Sequence, residues 1–308
     1  MRSTGRQSYP TKLESILKYK LVLALRVLGL AILYFLTFAI ISGALLPPIE
    51  PQSRESNSTA LIALLVISIL NTLALVYVTN RSGWSGWKLI LALWFVLFGV
   101  LTLMPQIETA VFIRTLPQGF LFRLFLAGFL FSGVFATLLT LLLGKSRPSD
   151  QANYASTHLP KTPLSWVYRL AFIAIIYVAI YFTFGYFIAW SSPAVRDYYG
   201  GGEYRGFFTQ LMHVWRDTPW LFALQIFRGL LWAMIAVPVI KMTRGAWWQA
   251  GIAVALLFSV VMNTQLLLPN PLMPYEVRMA HLLETASSNF LFAWVLVWLL
   301  NEKADSKH

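Results

Sequence analysis

The sequence predicts an all-α, polytopic membrane protein with eight transmembrane helices. They form a parallel repeat of four plus four, with both termini in the cytoplasm. Three observations predict it. The 308-residue chain is 58% hydrophobic and only 12% charged, about half the charge of an ordinary soluble domain. Its apolar residues fall in eight long runs. Its net charge of +12 is gathered on one side of those runs. The chain has no Cys, which rules out disulfides, thiolate metal sites and a Cys nucleophile.

The elements follow in order. Residues 1–20 are a basic cytoplasmic segment with Arg2, Arg6, Lys12, Lys18 and Lys20. The first run, Leu21 to Leu46, is too long for the core of a secretory signal and reads as a retained helix ended by Pro47-Pro48. The second covers Ala60 to Val78, the third Trp87 to Met104 and the fourth Gly119 to Leu143. Together, residues 21–144 make a first membrane half. Residues 145–163 are a polar cytoplasmic linker. The second half, 164–301, has runs at Leu164–Trp190, Pro219–Ile240, Ala246–Leu268 and Val277–Leu300. Each run is near or above the roughly 20 residues needed to cross about 30 Å of hydrocarbon. Extracytoplasmic loop 191–217 ends in Phe207, Phe208, Leu211, Met212 and Trp215, the spacing of an amphipathic helix on a membrane surface. Residues 302–308 are a cytoplasmic tail.

Weak echoes join the halves. Arg26 and Tyr34 match Arg169 and Tyr177, and Arg81 and Trp84 match Arg244 and Trp247. With four helices per half in one order, the expected relation is a two-fold axis along the membrane normal. With the N-terminus inside, 16 of the 24 basic groups but four of the 12 acids fall on the cytoplasmic side. This is the positive-inside pattern. It gives the excess charge a topological meaning, and no compact basic patch or motif points to nucleic acid. The expected setting is the lipid bilayer of a cell membrane.

Polar residues at depth carry the functional signal. In the last run Arg278, His281, Glu284, Thr285, Ser288 and Asn289 share an arc of roughly 140°. A charge at bilayer depth costs about 2.5–3.5 kcal/mol even on the lenient scale, so such a stripe must face protein or water. Glu284 lies about 10 Å into its helix, and Arg228 about 12 Å into the sixth run. Gln225 lies one turn shallower. Asn263, Thr264 and Gln265 close the seventh run, and Gln106 and Glu108 follow the third. All belong to the outer half of the bilayer. The expected centre is an Arg228–Glu284 ion pair with His281 one turn above as a proton carrier. Glu108 and Arg278 are placed at the mouth, with Arg123 either joining them or reaching the headgroups.

Other motifs carry less. Gly83-Trp84-Ser85-Gly86 matches the G-x-S-G pattern of rhomboid intramembrane proteases, but it falls in an inner turn, far from His281. Of the four histidines only His281 lies in a helix at depth, so no metal or other cofactor is expected. No phosphate-binding loop is present. Three functions fit. The first is a proton-coupled or anion-binding transporter of a small solute. The second is an intramembrane enzyme acting on a lipid or lipid-linked substrate at the outer face. The third is a non-catalytic subunit whose polar residues join helices.

Overall fold

The computed structural model describes residues 12–47, 57–113, 116–147, 159–270 and 272–301. Most of the N-terminal segment, the centre of the linker and the tail lie outside these, as do Arg2, Arg6, Asp150 and Lys303. Among the described residues eight helices are long and apolar enough to cross a membrane. In chain order the helices are α1 Lys12–Leu45, α2 Asn57–Arg81, α3 Gly86–Phe112, α4 Phe120–Leu142 and α5 Pro163–Ala189. The short α6 Pro193–Tyr198 and the surface helix α7 Phe207–Asp217 follow. Then come α8 Trp220–Met242, α9 Trp247–Leu267 and α10 Tyr275–Leu300. Helix α7 buries no residue and exposes Phe208, Met212 and Trp215.

The long helices pack as two groups of four. Helix α1 packs on α2 and α4, and α3 on α4. In the second half α5 packs on α8 and α10, and α9 on α10. The halves meet where α2 touches α9 and α3 touches α8. The turns joining α2 to α3 and α8 to α9 also pair: Gly83 N–H donates to Met242 O, and Arg244 N–H to Arg81 O at 2.9 Å. Each group also holds a buried tyrosine that accepts a side-chain hydrogen bond. Tyr34 on α1 accepts from Asn71 on α2, and Tyr177 on α5 accepts from Trp232 on α8.

Three of the long helices contain a wide π turn, at Gly99–Leu103 in α3, Gly185–Ala189 in α5 and Leu256–Val261 in α9. The turn in α3 corrects the expected end of the third run. That run does not stop at Met104; the helix passes through Pro105 and carries Glu108 as far as Phe112. A proline ring displaces the carbonyl one turn earlier, and a widened turn just before it gives the ring room. Helix α1 likewise begins at Lys12 rather than Leu21.

Close approach of α4 to α3 depends on Gly128. A Cβ there would lie 1.9 Å from Thr102 Oγ1 and 2.7 Å from its Cγ2, inside the π turn. Gly128→Val is expected to lower the unfolding midpoint in detergent by the equivalent of about 1–3 kcal/mol, the usual range for overpacking. Gly43→Ala on α1, with no atom within 4 Å, should leave it unchanged or higher. Equal midpoints for the two variants would contradict this packing.

Candidate functional site

The polar cluster is assembled from α3, α5, α8 and α10, closed by the residue after α6. The π turn in α3 carries Glu108 to the side of α8, where its Oε1 meets Arg228 Nη2. Arg228 is 2% exposed. Its Nη1 donates to Gln225 Oε1 at 2.9 Å, one turn away on α8. The guanidinium lies 5.8 Å from the centre of the Tyr177 ring and 6.0 Å from that of Tyr181, within reach of cation–π attraction. On α10 His281 Nδ1 lies 2.8 Å from Glu284 Oε2, and its Nε2 lies 3.2 Å from the Tyr199 hydroxyl.

The expected Arg228–Glu284 pair is therefore not the one that forms. Arg228 is held by Glu108, and Glu284 by His281. The reason is geometric: the unpredicted extension of α3 places a carboxylate beside the guanidinium. The two pairs still belong to one electrostatic cluster. Tyr177 and Tyr181 each interact with Glu108, Arg228 and Glu284, and Tyr199 with Glu108 and Glu284. Burial first, then these carboxylates, push the Tyr199 phenol above its ordinary range. It therefore stays a hydroxyl through neutral pH.

Some predicted residues lie elsewhere, on helix-holding duty. The Asn263 amide donates to Phe258 O and Ser259 O, carbonyls of the π turn in α9, and its oxygen accepts from Thr285. Asn289 also donates to Phe258 O, at 3.3 Å. Gln265 donates to Leu101 O in the π turn of α3. A π turn leaves carbonyls without their usual helical partner, and these amides supply one. Arg278 is not at the mouth: it is fully buried and donates to Leu266 O in the last turn of α9. Arg123 donates to Leu45 O on the α1 side and does not join the cluster. Ser85 precedes α3, at the end of the bundle opposite His281.

Sequence reading missed Tyr181, Gly185 and Tyr199. The first two were findable. Tyr177, Tyr181 and Gly185 repeat at intervals of four and so share one face of α5. A Cβ on Gly185 would sit 3.4 Å from Glu284 Oε1, at ordinary contact distance, so this face of α5 runs beside that carboxylate. Nothing local marks Tyr199, which arrives from a loop. Among the described residues, buried Gln106 Oε1, Gln225 Nε2 and Arg228 Nε have no hydrogen-bond partner. Among the described residues no three His, Asp or Glu side chains converge as a metal site requires.

No protein-family model matches the chain, and no curated protein or solved structure matches it. Its class is that of a multi-pass helical membrane protein, on the strength of eight helices long and apolar enough to span a bilayer.

Proposed function

We propose that the chain is a proton-linked carrier of a small anionic solute. The solute binds at the Glu108–Arg228 and His281–Glu284 cluster, between two four-helix halves related by a two-fold axis along the membrane normal. The observation that carries the reading is the Glu108–Arg228 contact. It crosses from one half to the other just beyond a π turn. Carriers commonly bind at the repeat interface, where helices are interrupted. Here the interruptions are π turns, with few proline or glycine breaks. The matching helix contacts, the paired turns and the Tyr34–Asn71 and Tyr177–Trp232 contacts support the repeat. With sixteen of the 24 basic groups on the side of the termini, the cluster belongs to the outer half of the membrane.

Charge balance gives the coupling. With Glu108 and Glu284 ionised, Arg228 charged and His281 protonated, the cluster is neutral. An anion taking the place of Glu108 on Arg228 adds one negative charge to that balance. One proton, entering by way of His281, restores neutrality. One anion thus travels with one proton. The partnerless atoms on Gln106, Gln225 and Arg228 are donors and acceptors that such a solute would fill.

The test uses purified protein in liposomes containing a pH-reporting dye, with phosphate, glutamate or sulfate supplied outside. Proton entry driven by at least one of these is expected. It should be absent from a folded Glu108→Leu/Arg228→Met double variant. Silence from every anion with folded wild-type protein would end the carrier reading. A second reading has one observation in its favour. The Glu284–His281–Tyr199 chain is the carboxylate–imidazole–hydroxyl order of a general base. Conversion of an added lipid extract, followed by mass spectrometry, would support that enzyme instead.

A further inference from the structure

At the end of the bundle opposite this cluster, the paired turns between α2 and α3 and between α8 and α9 hold three cations together. Arg81 and Arg244 are joined through the backbone bond between them. The Gln249 amide, oriented to satisfy both sides, donates to Arg244 O and accepts from Arg81 Nη1 at 3.2 Å. Lys145, arriving from the end of α4, donates its Nζ to Ser82 O at 2.9 Å. Among the described residues no carboxylate lies within salt-bridge distance of any of the three. Arg244 Nε is buried with no partner. Partial burial and then the charge of Arg244 both push the Lys145 ammonium below its ordinary range. Arg244 Nε lies 3.2 Å from the place a Cβ on Gly83 would take, next to the Ser82 carbonyl that holds Lys145, so like charges gather around one turn. The surroundings are those of a headgroup layer. Trp87 is 76% exposed and Trp248 44%, and Lys88 Nζ sits 4.1 Å over the Trp84 ring.

We infer that Arg81, Lys145 and Arg244 form a seat for a phosphate group, at the junction of the two halves. The exposed tryptophans at the same level favour the headgroup of an anionic lipid as its source. The site is separate from the Arg228 cluster and owes nothing to the carrier reading. Paired on their phosphate, the three side chains would tie α4 to both turns. The lipid would then act as a structural part of the helix junction.

Native mass spectrometry of the full chain from detergent tests it, with phosphatidylglycerol, phosphatidylcholine or inorganic phosphate added separately. Wild type should retain phosphatidylglycerol over phosphatidylcholine. An Arg81→Gln/Arg244→Gln variant should lose that retention on the order of tenfold or more, since each basic group near a lipid surface contributes about 1 kcal/mol. Neither side chain donates to a backbone carbonyl, so the variant should fold. If it cannot be purified, wild type is titrated with salt from about 0.05 to 1 M, and phosphatidylglycerol should be released as screening rises. Stabilisation by inorganic phosphate alone, lost in the variant, would support the seat and assign it a soluble ligand. Retention of phosphatidylglycerol that ignores both the substitutions and the salt would overturn it.

Discussion

Glu108→Leu is expected to cost the folded protein about 3–5 kcal/mol, and Arg228→Met about half of that. A buried charge left alone is the costly half of a broken ion pair. Arg228 is 2% exposed, whereas the Glu108 side chain keeps about a third of its surface accessible, at 33%. Removing Glu108 strands a guanidinium that water cannot reach. Glu284, the other carboxylate beside Tyr177 and Tyr181, is engaged by His281. Removing Arg228 leaves a carboxylate that can stay partly hydrated. The double variant Glu108→Leu/Arg228→Met should recover most of the stability, because a buried pair replaced by apolar groups of similar volume is often near neutral. Unfolding in detergent, analysed as a double-mutant cycle, measures the coupling. Exchanging the charges between Arg228 and Glu284 should give no rescue. Additive single effects, or rescue by that second exchange, would show that Glu108 is not the partner. A double variant that is stable yet inactive separates the roles: the pair is then needed for function and dispensable for folding.

The spans were legible because a bilayer imposes one demand on every crossing segment, length together with apolarity. The position of each polar residue along its helix was legible too, since counting from a helix end gives it. Helix rotation was not. Each π turn inserts about one extra residue and rotates everything beyond it by roughly 100°. Glu108 lies just past such a turn, so a regular helical count could not aim it at Arg228.

The stripe on α10, read as facing protein or water, is largely buried, and its members divide between two tasks. His281 and Glu284 join the cluster. Asn289 caps a carbonyl of the π turn in α9, and Arg278 holds the last turn of α9. Which carbonyls a helix leaves open depends on backbone geometry that side-chain patterns do not encode. Tyr199 escaped notice because loop closure, and no periodicity, brings it to His281.

His281→Gln is expected to keep anion binding and lose proton-linked flux by about 100-fold or more, the low end of what a positioned proton-transfer group contributes. Glutamine can hydrogen-bond to Glu284 and Tyr199 in place of the ring. It cannot hold a proton near neutral pH, whereas imidazole can. Tyr199 suits both states of the ring. As a hydroxyl it donates to Nε2 of neutral His281, leaving Nδ1–H directed at Glu284, and accepts from Nε2–H once the ring is charged. Its removal in Tyr199→Phe deletes one neutral hydrogen bond, about 1 kcal/mol, and should slow flux only several-fold. Glu284→Gln should resemble His281→Gln, because a protonated imidazole needs that carboxylate beside it in a buried site. Flux and binding are read separately, by dye response in liposomes and by ligand-induced thermal stabilisation in detergent. Suppose His281→Gln abolished binding and flux together while the protein stayed folded. The imidazole would then contact the anion directly, and the proton would travel on Glu108. If flux instead survived unchanged, His281 and Glu284 would be a polar tie between α10 and the α6 loop, and coupling would rest on Glu108 and Arg228 alone.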